Sequence, residues 1–147
     1  MDADDKRFAF EEAFNLLCGD LIASGMSRHV YTCPVVPECV VKVESRPWFQ
    51  NVQEDHVWHR VSETKFGQWF APVRWLSPYG RVLVMERTMP VGMTELPKKV
   101  PAFFTDLKRQ NWGRLPNGRI VCHDYGTHLM LERGMTSAMR TADWYEG

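Results

Sequence analysis

At 147 residues, with 44% apolar and 24% charged side chains, the chain has the length and mix of one folded domain with a genuine core, which argues against extensive disorder. Eighteen Lys and Arg side chains balance eighteen Asp and Glu, so no overall electrostatic pull toward nucleic acid or anionic lipid exists and neither partner is expected. No apolar run approaches a membrane span, and the acidic opening Met1-Asp2-Ala3-Asp4-Asp5 has the wrong charge for a secretory signal, so a cytoplasmic location is expected.

In chain order, the segment from Asp5 to Leu17 carries Phe8, Phe10, Ala13, Phe14 and Leu17 between polar residues. It predicts an amphipathic helix that packs on the following strands and ends near Gly19. Two strands then flank the Pro34 to Pro37 turn, and the second, Glu38 to Glu44, sets Lys42 among β-branched residues. From Gln50 to Thr64, Val52, Val57, Trp58 and Val61 lie close to a helical stripe, with Glu54 one turn before Trp58. Phe70 to Trp75 and Arg81 to Glu86 form an expected antiparallel pair about Ser77-Pro78-Tyr79-Gly80. Val91 to Phe103 contains Pro97 and Pro101, which leaves no room for a long helix. Leu115 to Cys122 reads as strand, Asn117-Gly118 turn, strand, because Asn-Gly tolerates the positive φ of a tight hairpin. The tail from Thr127 to Gly147, with Leu129, Met130, Leu131 and Met135, is expected to be partly helical. Trp48, Trp112 and Trp144 fall in expected loops or in the tail, where they would offer a partner surface.

The chemistry concentrates in Asp106-Leu107-Lys108-Arg109-Gln110-Asn111, followed thirteen residues after the asparagine by Asp124-Tyr125-Gly126. A hairpin between them would bring Asn111 and Asp124 together, with Asp106 on the same entering loop. Three oxygen donors would then converge, as Mg²⁺ on a nucleotide requires. Each residue alone has a plainer reading as a cap or turn residue; their order, with Lys42 and Glu54 upstream, favours the site. Cys33, Cys39 and His29 lack a fourth ligand for zinc, and no Cys-x-x-Cys spacing occurs among Cys18, Cys33, Cys39 and Cys122, so reduced thiols are expected. His123 and His128 give a minor hydrolase or nuclease reading.

These residues resemble the catalytic and metal loops of the protein-kinase-like fold, where Asp-Leu-x-x-x-Asn precedes Asp-Phe-Gly, with Tyr125 standing here for phenylalanine. The resemblance implies an α+β fold: a kinase-like N-lobe antiparallel sheet with an αC-type helix over residues 1–89, and a strongly reduced C-lobe over 90–147. Lys42 then corresponds to the phosphate-orienting lysine and Glu54 to its αC partner. Met85, Glu86 and Thr88 fall where the family holds adenine, and Gly25 is what remains of the glycine-rich loop, with Arg28 helping its amides approach a phosphate. Phe104-Thr105 replaces the usual His-Arg, which speaks against control by activation-loop phosphorylation. The implied function is minimal phosphoryl transfer from ATP with Mg²⁺ to a hydroxyl, with Asn111 and Asp124 on the metal and Asp106 as the base. The rival is a pseudokinase-like binding protein that engages a host partner protein, a use that suits a compact genome such as a phage's.

Overall fold

Alternating β-branched residues build the centre of the molecule. The computed structural model describes residues 1–126 and 134–147. Five strands, β1 (Leu21–Ser24), β2 (Arg28–Thr32), β3 (Cys39–Glu44), β4 (Val73–Leu76) and β5 (Val82–Glu86), form an antiparallel sheet in the order β1-β2-β3-β5-β4. β3 is the middle strand. Because successive side chains point to opposite faces, Val40, Lys42 and Glu44 share one face and Val41 and Val43 the other. On the Val41 face lies a small cluster with Cys18 and Cys33, to which the β2–β3 turn adds Val36. On the opposite face Val40, Leu83 and Met85 join Val57 and Val61 of helix α2 (Gln50–Val61) and Phe70, Trp112, Val121 and Tyr125 in the main core.

Helix α2 is fixed to the sheet by polar contacts. Its N-cap, Phe49, has φ 59° and no side-chain cap of its own. The buried Glu44 carboxylate instead accepts the N–H groups of Phe49 and Asn51, each at 3.0 Å, satisfying donors that a helix start leaves open. The Asn51 amide donates to the carbonyls of Lys42 (3.1 Å) and Gly80 (3.0 Å). These contacts set the helix rotation, so Glu54, one turn on, faces the sheet.

Helix α1 (Ala3–Leu17) departs from expectation. It opens with a capping box between Asp2 and Asp5, yet none of its residues is buried. It meets the sheet at its C-terminal end, through Phe14 edge-on to Tyr31 (5.5 Å) and Leu17 beside the Cys33 cluster, and it is capped at Cys18. Val36 helps close the face this helix was expected to cover, and β1 exposes all four of its residues.

Below the sheet, β6 (Lys99–Pro101), β7 (Trp112–Arg114), β8 (Ile120–Cys122) and β9 (Met139–Thr141) make two small antiparallel pairs, β6 with β9 and β7 with β8. The β7–β8 hairpin starts earlier and turns more widely than its sequence implied. Leu115 N–H donates to Arg119 O (2.8 Å), Gly118 N–H donates to Leu115 O (2.9 Å), and Gly118 has φ 90°. The helical expectation for Leu129 to Leu131 lies outside the described residues. The rest of the tail is not helical: β9 takes the open edge of β6. Nor do the tail tryptophans offer a free surface. Trp112 is buried, Trp144 packs edge-on to it at 5.0 Å, and the Trp144 indole donates to Pro97 O (2.7 Å); of the three, only Trp48 is exposed. All four cysteines are buried and unpaired. The fold is thus α+β, with a five-stranded antiparallel sheet and two helices among the described residues.

Candidate functional site

One buried carboxylate organises the site. Glu54 Oε1 accepts from Lys42 Nζ (2.8 Å) and Arg28 Nη1 (2.7 Å). Its Oε2 accepts from Arg28 Nη2 (2.9 Å) and from the backbone N–H groups of Tyr125 (2.9 Å) and Gly126 (3.0 Å). Strand β2, strand β3, helix α2 and the loop after β8 therefore meet on a single side chain with no solvent exposure. Arg28 Nη2 also reaches Asp124 Oδ1 at 2.9 Å, and Nη1 reaches Asn51 Oδ1 at 3.2 Å. The Lys42 ammonium donates in addition to the carbonyl of His123.

Burial alone would raise the Glu54 carboxyl, but the adjacent Lys42 and Arg28 cations outweigh it and hold the group at about 2. Burial lowers the Lys42 ammonium below its ordinary value despite the attraction of Glu54. For Arg28, burial is opposed by Glu54 and then Asp124, which leave the guanidinium more firmly charged than usual. His123 is lowered to about 4, first by desolvation and then by the Lys42 charge. Its neutral ring has a defined tautomer: Nε2–H donates to Gln110 O (2.8 Å), so Nδ1 accepts from the Thr88 hydroxyl (2.7 Å). The buried Tyr125 hydroxyl donates to Ala71 O at 2.8 Å, which pins the loop carrying Asp124.

Above this cluster opens a cleft of about 540 Å³, bounded by β1 to β3, the end of β5 and the chain leaving it, and the segments that flank the β7–β8 hairpin. Among the residues singled out in the sequence, Gly25, Lys42, Met85, Glu86, Thr88, Asn111 and Asp124 all line it, while Glu54 lies behind its wall. Asp106 does not line it. Its exposed carboxylate accepts from the Tyr145 hydroxyl, and its loop is tied to the tail by Arg109 N–H to Tyr145 O (2.9 Å) and by a two-bond Arg109–Glu146 pair. Leu107 is buried in the core, which turns its neighbour Asp106 outward. The carboxylate of Glu44 and the amide of Asn51 are site features the sequence did not single out, and Arg28 and His123, which it did, take other parts than expected: Arg28 pairs with Glu54 and Asp124, and the His123 ring bridges Thr88 and Gln110. One signal existed: antiparallel pairing of β2 with β3 sets Arg28 opposite Glu44, two opposite charges at the ends of the paired strands.

The lining suits a small anionic ligand with an apolar part better than a resident divalent metal. The volume lies in the usual range for small-molecule sites, Val30, Val40 and Met85 supply apolar wall, and four basic residues, Arg28, Lys42, Arg87 and Lys108, line it against two acidic ones, Glu86 and Asp124. For Mg²⁺ the donors are poor. No group of three or more His, Cys, Asp or Glu able to hold a metal occurs among the described residues, and one oxygen of Asp124 is already held by a guanidinium. As arranged, Asn111 and Asp124 do not by themselves make a resident metal site: they bring one amide and one carboxylate, whose Oδ1 is already held by Arg28.

No protein-family model matches the chain, and no curated protein matches it. Among solved structures it is similar to the ternary complex of streptomycin, ATP and APH(2")-IIa, with 17% sequence identity and a TM-score of 0.42, over 65% of this chain and 34% of that one. The chain spans about a third of that neighbour's length.

Proposed function

We propose that the chain is a nucleotide-binding protein of kinase-like architecture, whose cleft holds a base against Val30, Val40 and Met85 and directs phosphates toward Lys42. The observation that carries this reading is the Lys42–Glu54 pair, 2.8 Å long and buried, at the wall of a cleft with apolar sides. Folding does not require such a pair, since well-packed apolar residues of similar volume stabilise an interior as well or better. Two of the three ammonium donors are committed to Glu54 and His123. An anion in the cleft supplies an acceptor for the third.

Binding is supported further than turnover. Transfer to a hydroxyl needs a base within hydrogen-bond reach of the acceptor, and Asp106 is engaged by Tyr145 outside the cleft. Phosphoryl transfer remains the second reading, favoured by the presence of Asn111 and Asp124 on the same cleft wall. In a thermal-shift experiment, ATP at a hundredfold its Kd should stabilise the protein by about 2.7 kcal/mol. That corresponds to roughly 5–10 °C for a chain of this size. Lys42→Met should remove the gain, and absence of any shift at millimolar ATP refutes the reading. Incubation with γ-labelled ATP separates the two readings: incorporation that Asp106→Asn abolishes establishes transfer.

A further inference from the structure

The site carries its own counter-cation where a nucleotide site ordinarily borrows a metal. We infer that the ligand binds as a free anion, a nucleoside polyphosphate without bound divalent metal; this rests on the nucleotide-binding reading above. Arg28 is 6% exposed, and all four of its Nη hydrogens are committed: Nη1 to Asn51 Oδ1 and Glu54 Oε1, Nη2 to Glu54 Oε2 and Asp124 Oδ1. A guanidinium fixed on three sides cannot swing out to make way for an ion without stranding the buried Glu54. Asp124, the one carboxylate of the expected metal pair, is therefore already neutralised.

The rest of the wall agrees. Glu86, the other acidic residue on the lining, is paired with Arg74. His123 has both ring nitrogens engaged and offers no lone pair to a metal. A magnesium chelate would bring two positive charges toward Arg28 and Lys42 and would compete for an oxygen the guanidinium holds. A bare polyphosphate instead meets the ammonium groups of Lys42 and Lys108 on the cleft wall, forming charge-assisted hydrogen bonds with no ion between.

Isothermal titration calorimetry of the full chain with ATP, once in EDTA and once in excess MgCl₂, tests this. Binding in EDTA should be at least as tight as in MgCl₂. Weakening in EDTA by about tenfold or more overturns the inference and leaves the nucleotide reading standing. No binding in either condition removes the nucleotide reading and this inference with it. Asp124→Asn gives an independent check on a partly exposed side chain. If Asp124 is only a neutralised anion beside the phosphates, the variant should bind ATP in EDTA about threefold more tightly. A loss of tenfold or more in MgCl₂ would instead mark Asp124 as a metal ligand and overturn the inference.

Discussion

Replacing Glu54 by glutamine probes the joint on which the site is built. The side chain keeps its shape but loses its charge, and one of its two acceptor oxygens becomes an NH₂ group. If that NH₂ takes the Oε1 position it faces two donors, Lys42 Nζ and Arg28 Nη1; at the Oε2 position it faces three, Arg28 Nη2 and the N–H groups of Tyr125 and Gly126. Either orientation strands buried donors, each costing about 1–3 kcal/mol. Removing one partner of a buried ion pair typically costs about 3–5 kcal/mol in all. Against an ordinary domain stability of about 5–15 kcal/mol, this is a large fraction. It should lower the melting temperature by roughly 6–20 °C, judged from the usual 2–4 °C per kcal/mol at this size. Urea and thermal unfolding followed by circular dichroism at pH 7 measure it. In a double-mutant cycle, Lys42→Met with Glu54→Gln should cost less than the sum of the two single changes by about 1 kcal/mol or more. A Glu54→Gln cost under about 1 kcal/mol, or strict additivity, would refute the reasoning.

Three further outcomes follow from the same geometry. His123 titrates at about 4 in the folded protein against an ordinary 6.5, so the unfolded chain takes up its proton first. Its contribution is complete above pH 6.5 and is lost as pH falls toward 4, by at most about 3 kcal/mol; urea midpoints at pH 7 and pH 5 should show the slope, and His123→Gln should flatten it. Below pH 4.5 a second loss sets in, because the glutamate takes up a proton in the unfolded chain while Glu54 in the folded protein, held at about 2, does not. A Cβ added at Gly126 would sit 2.8 Å from Gln50 O and 2.9 Å from Gln50 Cβ, so Gly126→Ala should destabilise by about 1–3 kcal/mol, and an unchanged urea midpoint would contradict the packing of that loop against α2. Trp144→Ala removes the ring packed on Trp112 and the bond to Pro97; it should cost about 2–4 kcal/mol and red-shift the remaining tryptophan emission, whereas a neutral result would mean the tail does not hold that wall.

The local patterns of the chain were legible where one strand or helix decides the outcome. β-Branched alternation around Lys42, the stripe through Val57 and Val61, and the Ser77 to Gly80 turn each fix an element by its own residues. They suffice to indicate an α+β sheet with a lysine and a glutamate brought face to face. What escaped depends on pairing between distant segments. The tail becomes β9 because β6 offers it an edge, and α1 touches the sheet through Phe14 and Leu17 with none of its residues buried. The placement of Asp106 follows from the burial of Leu107 and the contact with Tyr145, thirty-nine residues away. Arg28 was expected to help the reduced glycine-rich loop approach a phosphate; its guanidinium is instead committed to Glu54, Asn51 and Asp124, partners that lie in distant segments.

Amide chemical-shift mapping of the ¹⁵N-labelled protein during titration with ATP tests the central claim most directly. The account predicts perturbations concentrated at Gly25, Lys42, Thr88, Asn111 and Asp124, residues far apart in sequence that line one cleft, with α1 and β9 unmoved. Saturable shifts confined to another surface, or none at millimolar ATP, would contradict it.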